Sequence, residues 1–442
     1  MWGEFPPPSK RGGEKKEKNM TLQMILALGI FLICLIFIFT EKINKTIVAL
    51  GGATLYMVLQ FVPQDKAFTS CIDWNVIFLL IGMMIMVGII KDSGLFEYIA
   101  IYLAKKSLGN PKIIIIALFM VSGIISAFID SVSATIIIAP ISILIAVELG
   151  ISPIPFVIAG AIAANIGGTA TLIGDPANLM IASEVNFSFL DYLQNIFLFV
   201  MFLLAVSSGV IYLFFRKQLV VPNERRARVM EFNEKELLRN KPLVIYSLVT
   251  FAIFLALLIF QKSFHLPPAT IALLAAMMML FKTRPKDFEH FICHEIHWGT
   301  ILFFIGLFIM VGALEESGII PLFSEQIKGL TKNDDRLLAV FIIWIPGFIA
   351  SFVDNVPYVA TMLPVLKGIT SNVGVWWAFV LGAVLSGNGS LLGSTASIVS
   401  VGISKKSGYP ISFWKFTKYS AVITVITFAL STAFILLRYS WK

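Results

Sequence analysis

Apolar runs of about 20 residues recur along the chain from Thr21 to Leu437, separated by short polar segments. Each run is long enough to cross the roughly 30 Å hydrocarbon core of a bilayer as an α-helix. The runs are apolar on all sides rather than alternating, which excludes an outer-membrane β-barrel. We therefore predict an all-α polytopic membrane protein with ten spans, near residues 21–39, 45–62, 74–91, 155–182, 195–215, 243–261, 267–282, 298–315, 375–403 and 418–438.

The pattern contains an internal repeat. The segment "WNVIFLLIGMMIMVGIIKDSG" (74–94) aligns without gaps with "WGTILFFIGLFIMVGALEESG" (298–318), and 10 of the 21 positions are identical. The same offset of 224 positions (354 − 130 = 224) places Asp130 on Asp354. Five crossings separate equivalent spans. Because that number is odd, the second half is inverted relative to the first, as in many secondary transporters.

The repeat divides the chain into four parts. Residues 21–215 form the first repeat, and residues 242–442 form the second, inverted repeat. The basic segment 216–241 between them is predicted to be a cytoplasmic loop. Residues 1–20 are rich in Pro, Gly and charged residues, so we predict a disordered basic tail.

Between the third and fourth spans of each repeat lies an apolar stretch with a polar centre, at 112–150 and 336–370. We predict a re-entrant hairpin in each, whose turn must be buried in protein or face water. The tips carry Asp130 and Asp354. An aspartate facing lipid costs about 2.5 to 3.5 kcal/mol, and Ser or Asn would cap a helix without that cost. Two aspartates in matching places therefore favour ion binding over capping alone.

The fourth span of each repeat is also broken by a polar, glycine-containing segment, at 165–178 and 387–397. Asp175 followed by Pro176 is typical of an N-cap and the first residue of a half-helix, and capping alone would account for Asp175. Half-helix N-termini carry partial positive charge, while free carbonyls and carboxylates bind cations. The residues of the tips and breaks that we predict to bind substrate or ions are Asp130, Ser131, Ser133, Asn165, Thr169, Thr171, Asp175, Asn178, Asp354, Asn355, Asn388, Ser390, Ser394 and Ser397.

Composition excludes other classes of protein. The 442 residues are 58% apolar and 14% charged, whereas a soluble chain has about 25% charged residues. The net charge of +8 reflects Lys and Arg between spans, so nucleic acid is not a predicted partner. The three cysteines form no CxxC pair.

The stretch "EHFICHEIHWG" contains candidate metal ligands, but its equivalent in the first repeat, "DKAFTSCIDWN", lacks histidine. We therefore predict an interfacial segment and no metal site.

Several segments resemble the ion transporter superfamily, in particular its arsenite-permease and pink-eyed-dilution P-protein branch. They are "GMMIMVGIIKDSGLFEYIA", the Asp-Ser-Val and Asp-Asn-Val tips, and "GGTATLIGDPAN". The resemblance covers nearly everything from Thr21 onward. It implies a citrate transporter-like domain, two repeats of spans plus hairpin, a scaffold with a moving transport domain, and a homodimer. The chain departs from the family pattern at Ala177, where Pro is frequent, and at Ser397, where Asn is frequent.

These observations predict a secondary active transporter in the plasma membrane rather than an enzyme. The expected substrate is a small inorganic ion or oxyacid, moved by alternating access in arsenite-efflux or sodium/proton antiport fashion. H⁺ or Na⁺ is the expected coupling cation, and no other cofactor is predicted. A carrier of di- or tricarboxylates such as citrate is the alternative, although tip carboxylates repel such anions unless neutralised. An intramembrane aspartyl protease is the rival from another class, and its G-x-G-D signature is absent. The chain has no P-loop, so an ATPase would be a separate subunit.

Overall fold

The protein is built from α-helices joined by short turns. The computed structural model describes residues 10–40, 42–238, 240–439 and 441, and this part of the chain contains no strand. The first half contains α1 (Lys10–Thr40), α2 (Lys45–Val58), α3 (Gln64–Lys66), α4 (Trp74–Asp92), α5 (Leu95–Lys106), α6 (Pro111–Phe128), α7 (Ser131–Glu148), α8 (Ile154–Gly168), α9 (Pro176–Val185), α10 (Phe189–Tyr192), α11 (Leu198–Phe215) and α12 (Asn223–Met230). The second half contains α13 (Lys241–Ile259), α14 (Gln261–Phe264), α15 (Pro268–Thr283), α16 (Phe288–Glu295), α17 (Trp298–Glu316), α18 (Ile320–Leu330), α19 (Asp335–Ala350), α20 (Asn355–Lys367), α21 (Val373–Leu385), α22 (Thr395–Lys406) and α23 (Phe413–Arg438).

The predicted spans correspond to these helices. Seven helical segments among the described residues are long and apolar enough to cross a membrane, and shorter apolar helices such as α2, α8, α15 and α21 accompany them. The all-α membrane architecture is therefore confirmed. The beginning of α1 differs from the prediction, because the helix starts at Lys10 rather than at Thr21. Lys and Glu have high helix propensity, so this segment extends the span. Residues 1–9 of the predicted tail lie outside the described residues.

The chain folds into two compact units that each draw on both sequence repeats. The first comprises the described residues up to Asp73 together with Trp298–Leu330 and Ala360–Ile369. The second comprises Trp74–His297, Thr331–Val359 and the described residues from Thr370 onward.

A repeated glycine brings helices of different repeats close together within each unit. In the second unit, a Cβ at Gly82 of α4 would lie 2.8 Å from the carbonyl carbon of Ala272 in α15. In the first unit, a Cβ at Gly306 of α17 would lie 2.6 Å from the carbonyl carbon of Ala49 in α2. Gly82 and Gly306 are 224 positions apart, which is the repeat offset. The third span of each repeat thus packs against the second span of the other.

The histidine-containing segment forms α16, which lies outside the apolar spans. Glu295 at its end accepts hydrogen bonds from Lys91 Nζ at 2.8 and 2.7 Å and pairs with His294 Nδ1 at 2.9 Å. Burial raises the pKa of Glu295, but the hydrogen bonds from Lys91 and His294 outweigh it and hold this pKa below its ordinary value. The ion pair therefore fastens α16 to the end of α4.

Each predicted hairpin consists of two helices joined by a short turn. Both arms of the first, α6 and α7, are among the seven segments long enough to cross a membrane, so its re-entrant character stays a prediction. In the first repeat, α6 ends at Phe128 and α7 begins at Ser131. In the second, α19 ends at Ala350 and α20 begins at Asn355. The arms α6 and α7 have 18 residues each, which is about 27 Å of helix. The arms of the second hairpin are shorter, with 16 and 13 residues.

Candidate functional site

Two half-helices begin within the broken fourth spans. α9 starts directly after Asp175, whose carboxylate accepts the Ala177 N–H at 2.9 Å. α22 starts directly after Ser394, whose hydroxyl accepts the Ala396 N–H at 3.2 Å. The two N-cap residues share nearly the same backbone, with φ −149° and ψ 137° at Asp175 and φ −149° and ψ 135° at Ser394. Since a hydroxyl suffices for this cap, the charge of Asp175 requires another explanation.

The tip of the second hairpin contacts both breaks. Asn355 Nδ2 donates to the two carboxylate oxygens of Asp175, each at 3.3 Å. The hydroxyl of Thr395, the first residue of α22, donates to Asp354 Oδ2 at 2.8 Å. The tip therefore connects a carboxylate of one repeat with the half-helix of the other.

The tip of the first hairpin has a different environment. Asp130 is half-buried, and its Oδ1 accepts the Ser133 N–H at 2.9 Å. Ser131 lies between them and is buried. Asp130 thus caps the N-terminus of α7, which is the alternative role considered for it from the sequence. Its role in ion binding stays a prediction.

Each break is attached to the hairpin of its own repeat by an equivalent hydrogen bond. The Thr171 hydroxyl donates to the Ala127 carbonyl, and the Ser390 hydroxyl donates to the Ser351 carbonyl at 2.6 Å. Ala127 and Ser351 are separated by the repeat offset, and so are Thr171 and Ser390 after the five-residue slip. These hydroxyls satisfy carbonyls at the ends of the hairpin helices.

Asn165 connects the two breaks through its side-chain amide. Its Nδ2 donates to Asn388 Oδ1 at 2.9 Å and to Ser397 Oγ at 3.2 Å. Its Oδ1 accepts from the Ser394 hydroxyl at 2.8 Å. The Thr169 hydroxyl donates to the Asn165 backbone carbonyl at 3.2 Å. All of these side chains are buried, so the network fixes the two breaks against each other in the second unit.

Asn178 stabilises the first break through its side-chain amide nitrogen, while its side-chain oxygen accepts no hydrogen bond from the described residues. Its Nδ2 donates to the carbonyls of Gly168 at 2.9 Å and Thr171 at 2.8 Å. Its Oδ1 is buried and has no hydrogen-bond partner within the described part of the chain. An unsatisfied buried acceptor costs about 1–3 kcal/mol, and it is a suitable ligand for a cation or a hydroxyl group.

The charge at this site is negative. Asp175 is 4% exposed, and among the described residues no Lys or Arg pairs with its carboxylate. Asp354 and Asp130 both act on Asp175 electrostatically. Three carboxylates near two polar breaks favour a bound cation or a proton.

Sequence comparison assigns the chain to a family. The profile of the citrate transporter family, CitMHS, matches residues 35–384. The chain belongs to the citrate transporter family. An uncharacterized transporter of Mycobacterium tuberculosis (strain H37Rv) is 36% identical over 94% of this chain and 98% of its own length. The P protein of Sus scrofa is 27% identical over 96% of this chain, which spans 60% of that protein.

A solved transporter has the same fold as this family member. The Alcanivorax borkumensis YdaH transporter superposes with a TM-score of 0.58 at 12% identity, covering 94% of this chain and 98% of that one. The predicted resemblance to the ion transporter superfamily is confirmed by the family match and by the relatives, which include a P protein. The prediction of a membrane transporter rather than an enzyme is also confirmed.

Most of the predicted site residues form hydrogen bonds in the structure. These bonds lie within the two breaks or join the breaks to the tip of the second hairpin. Asp130, Ser131 and Ser133 lie at the first tip, outside those hydrogen bonds. Sequence reasoning missed Thr395, because the repeat alignment pairs it with Pro176, which has no hydroxyl. It also missed Tyr192, whose hydroxyl donates to the Asn178 backbone carbonyl at 3.1 Å, because Tyr192 lies outside the predicted spans, tips and breaks.

Proposed function

We propose that the chain is a secondary active transporter of the plasma membrane that moves a small inorganic ion or oxyacid by alternating access, coupled to H⁺ or Na⁺. The observation that carries this proposal is the burial of Asp175 without a cationic partner among the described residues. A carboxylate in such surroundings is neutralised by a proton or a bound cation. We therefore place Asp175 ahead of Asp130 as the coupling residue.

The contact between Asp175 and Asn355 supports the link between ion binding and movement. Asn355 lies at the tip of the second hairpin and donates to both oxygens of Asp175 at 3.3 Å. A cation or proton on Asp175 competes with these long hydrogen bonds. Occupancy of Asp175 therefore changes how firmly the tip is held, which is what alternating access requires.

The acidic character of the site supports an inorganic ion or neutral oxyacid over a multivalent anion. Asp130, Asp175 and Asp354 would repel a di- or tricarboxylate unless they are neutralised. The family description, citrate transporter, favours such a carboxylate as the second candidate. We expect a homodimer with no cofactor beyond the coupling cation. Coupling to ATP would need a separate subunit.

Transport in proteoliposomes tests the substrate class. Arsenite, sodium and citrate are offered separately under an imposed pH gradient. We expect saturable flux of arsenite or sodium that responds to the gradient. Citrate flux without arsenite or sodium flux would establish the second candidate. Flux that neither saturates nor depends on a gradient would indicate a channel and refute secondary transport.

Substitution of Asp175 tests the coupling site. Asp175→Asn keeps a capping oxygen, as Ser394 shows is sufficient, but removes the charge. We expect turnover at least tenfold lower, with a flattened dependence on pH and sodium. Asp354→Asn should also lower turnover strongly. Asp65→Asn, an exposed aspartate in α3, is the matched control and should behave like wild type. If Asp175→Asn keeps the wild-type dependence on pH and sodium, the coupling site lies elsewhere, with Asp130 next.

A further inference from the structure

A cavity of about 480 Å³ lies beside α9 in the second unit. Leu172 in the first break and Leu179, Ala182 and Asn186 line one of its sides. The last three recur at helical spacing, so one face of α9 forms this wall from Asn186 toward the break. The N-terminal turns of α4 and the segment Gln261–Pro268 form the other walls. The volume is typical of a small-molecule site, which is about 300–1,000 Å³.

Two of the polar residues that line this cavity, Gln261 and Lys262, are adjacent in sequence, and the others are Asn75, Ser183, Asn186, Ser188 and His265. Gln261 is 7% exposed, and its side-chain Oε1 has no hydrogen-bond partner among the described residues. Lys262 Nζ lies 2.9 Å from Asp191 Oδ2, and 66% of the lysine side chain is exposed. The described lining includes no Asp or Glu. Most of the remaining wall is apolar and includes Leu79, Leu172, Leu179, Phe187 and Leu266.

We propose that this cavity binds small hydroxy monocarboxylic acids with an apolar body. The carboxylate accepts from Lys262 Nζ, and the hydroxyl donates to Gln261 Oε1. A simple carboxylate has no donor for that oxygen. A second carboxylate would find no further Lys or Arg in the described lining, where His265 is the one other basic residue, and it would be costly to bury. The apolar body packs against the leucines of α4 and α9. This site lies between the surface and the first break, and binding to it does not depend on the coupling role of Asp175.

Binding of mandelate, 2-hydroxy-2-phenylacetate, to the purified full-length protein tests the proposal. Phenylacetate lacks the hydroxyl, and 1-phenylethane-1,2-diol lacks the charge. We expect saturable binding of radiolabelled mandelate, with each analogue competing about tenfold more weakly because one hydrogen bond is lost. Absence of saturable mandelate binding, or equal affinity for mandelate and phenylacetate, would overturn the proposal.

Variants assign the two contacts. Gln261→Leu should bind mandelate and phenylacetate with equal affinity, and Lys262→Gln should weaken both about tenfold. Lys286→Gln makes the same charge change on an exposed loop and should bind mandelate as wild type does. A different preference in Gln261→Leu, or loss of binding in the Lys286 control, would contradict the assigned contacts.

Two further variants separate binding from folding and from coupling. Lys262→Gln also breaks the ion pair with Asp191, so its thermal unfolding is measured alongside. Ser183→Phe places a large side chain in the cavity lining and leaves both residues of that pair unsubstituted, so it should abolish mandelate binding. Asp175→Asn should keep mandelate binding whatever happens to its transport. Undiminished binding in Ser183→Phe would place the ligand elsewhere, and loss of binding in Asp175→Asn would refute an independent site.

Discussion

Gly167 allows α8 to pack directly against α6, the first helix of the first hairpin. A Cβ at this position would lie 1.9 Å from the carbonyl oxygen of Gly123 and 2.6 Å from its Cα. Real Cβ atoms essentially never approach another heavy atom closer than 3.0 Å. Gly167→Ala therefore requires a local separation of the two helices by about 1.1 Å (3.0 − 1.9). We predict that this substitution destabilises the protein and displaces the hairpin that carries Asp130.

The size of the effect follows from the contacts across this interface. Overpacking a well-packed contact costs about 1–3 kcal/mol. The Ser126 hydroxyl donates to the Ala164 carbonyl at 2.6 Å, less than one helical turn from Gly167 along α8. Separation of the helices breaks this buried hydrogen bond, which is worth about 1 kcal/mol. We expect a total loss of about 2–4 kcal/mol in the free energy of unfolding.

Gly160→Ala in the same helix is the matched control. Its Cβ would meet only the Cγ2 of Ile138, at an ordinary 3.8 Å. Alanine also gains about 1 kcal/mol over glycine in a helix interior. Thermal unfolding of both purified variants in the same detergent, followed by tryptophan fluorescence, should give a lower midpoint for Gly167→Ala and an unchanged or higher one for Gly160→Ala. Equal midpoints for the two variants would refute the predicted close packing.

Two further predictions concern pH and membrane orientation. The pKa of Glu295 is lower in the folded protein than in the unfolded chain, where it is about 4.3. The ionised carboxylate therefore stabilises the fold above that unfolded pKa. This stabilisation is lost as pH falls through the folded pKa. The unfolding midpoints of wild type and Glu295→Gln should therefore differ at pH 7 and converge in acid, and a constant difference across pH would contradict this. Ser152→Cys and Ser371→Cys, in a background without native cysteines, should label from the cytoplasm and from outside respectively, and labelling from one side would disprove the inversion.

Helix positions followed from the apolar pattern, but helix partners did not. α4 and α17 begin at Trp74 and Trp298, where the repeated segment begins. The sequence gives no sign that Gly82 faces α15 and Gly306 faces α2. Apolar helix surfaces resemble one another in composition, and which pair approaches closely depends on the shape of surfaces that are distant in sequence.

The candidate site was predictable in composition but not in its contacts. Polar residues in the breaks could be identified because unsatisfied polar groups are costly in a membrane. The internal repeat pointed to Asp130 and Asp354 as ion-binding residues, because they occupy matching positions. The structure instead favours Asp175 as the coupling candidate, because it is buried. Its hydrogen-bond partner Asn355 lies 180 positions away in the sequence. That contact depends on how the second tip folds over the first break, which no local pattern specifies.

The two breaks keep the same shape but differ in charge. Asp175 and Ser394 have the same cap geometry, yet their side chains have different partners. The Ser394 hydroxyl donates to Asn165, so it is engaged in the network that joins the breaks. Among the described residues, Asp175 receives only the long hydrogen bonds of Asn355 besides its own cap. Under the proposed function, this asymmetry concentrates affinity for the coupling cation in the first break. The second break then contributes neutral amides and hydroxyls, which suit a neutral oxyacid better than a second cation.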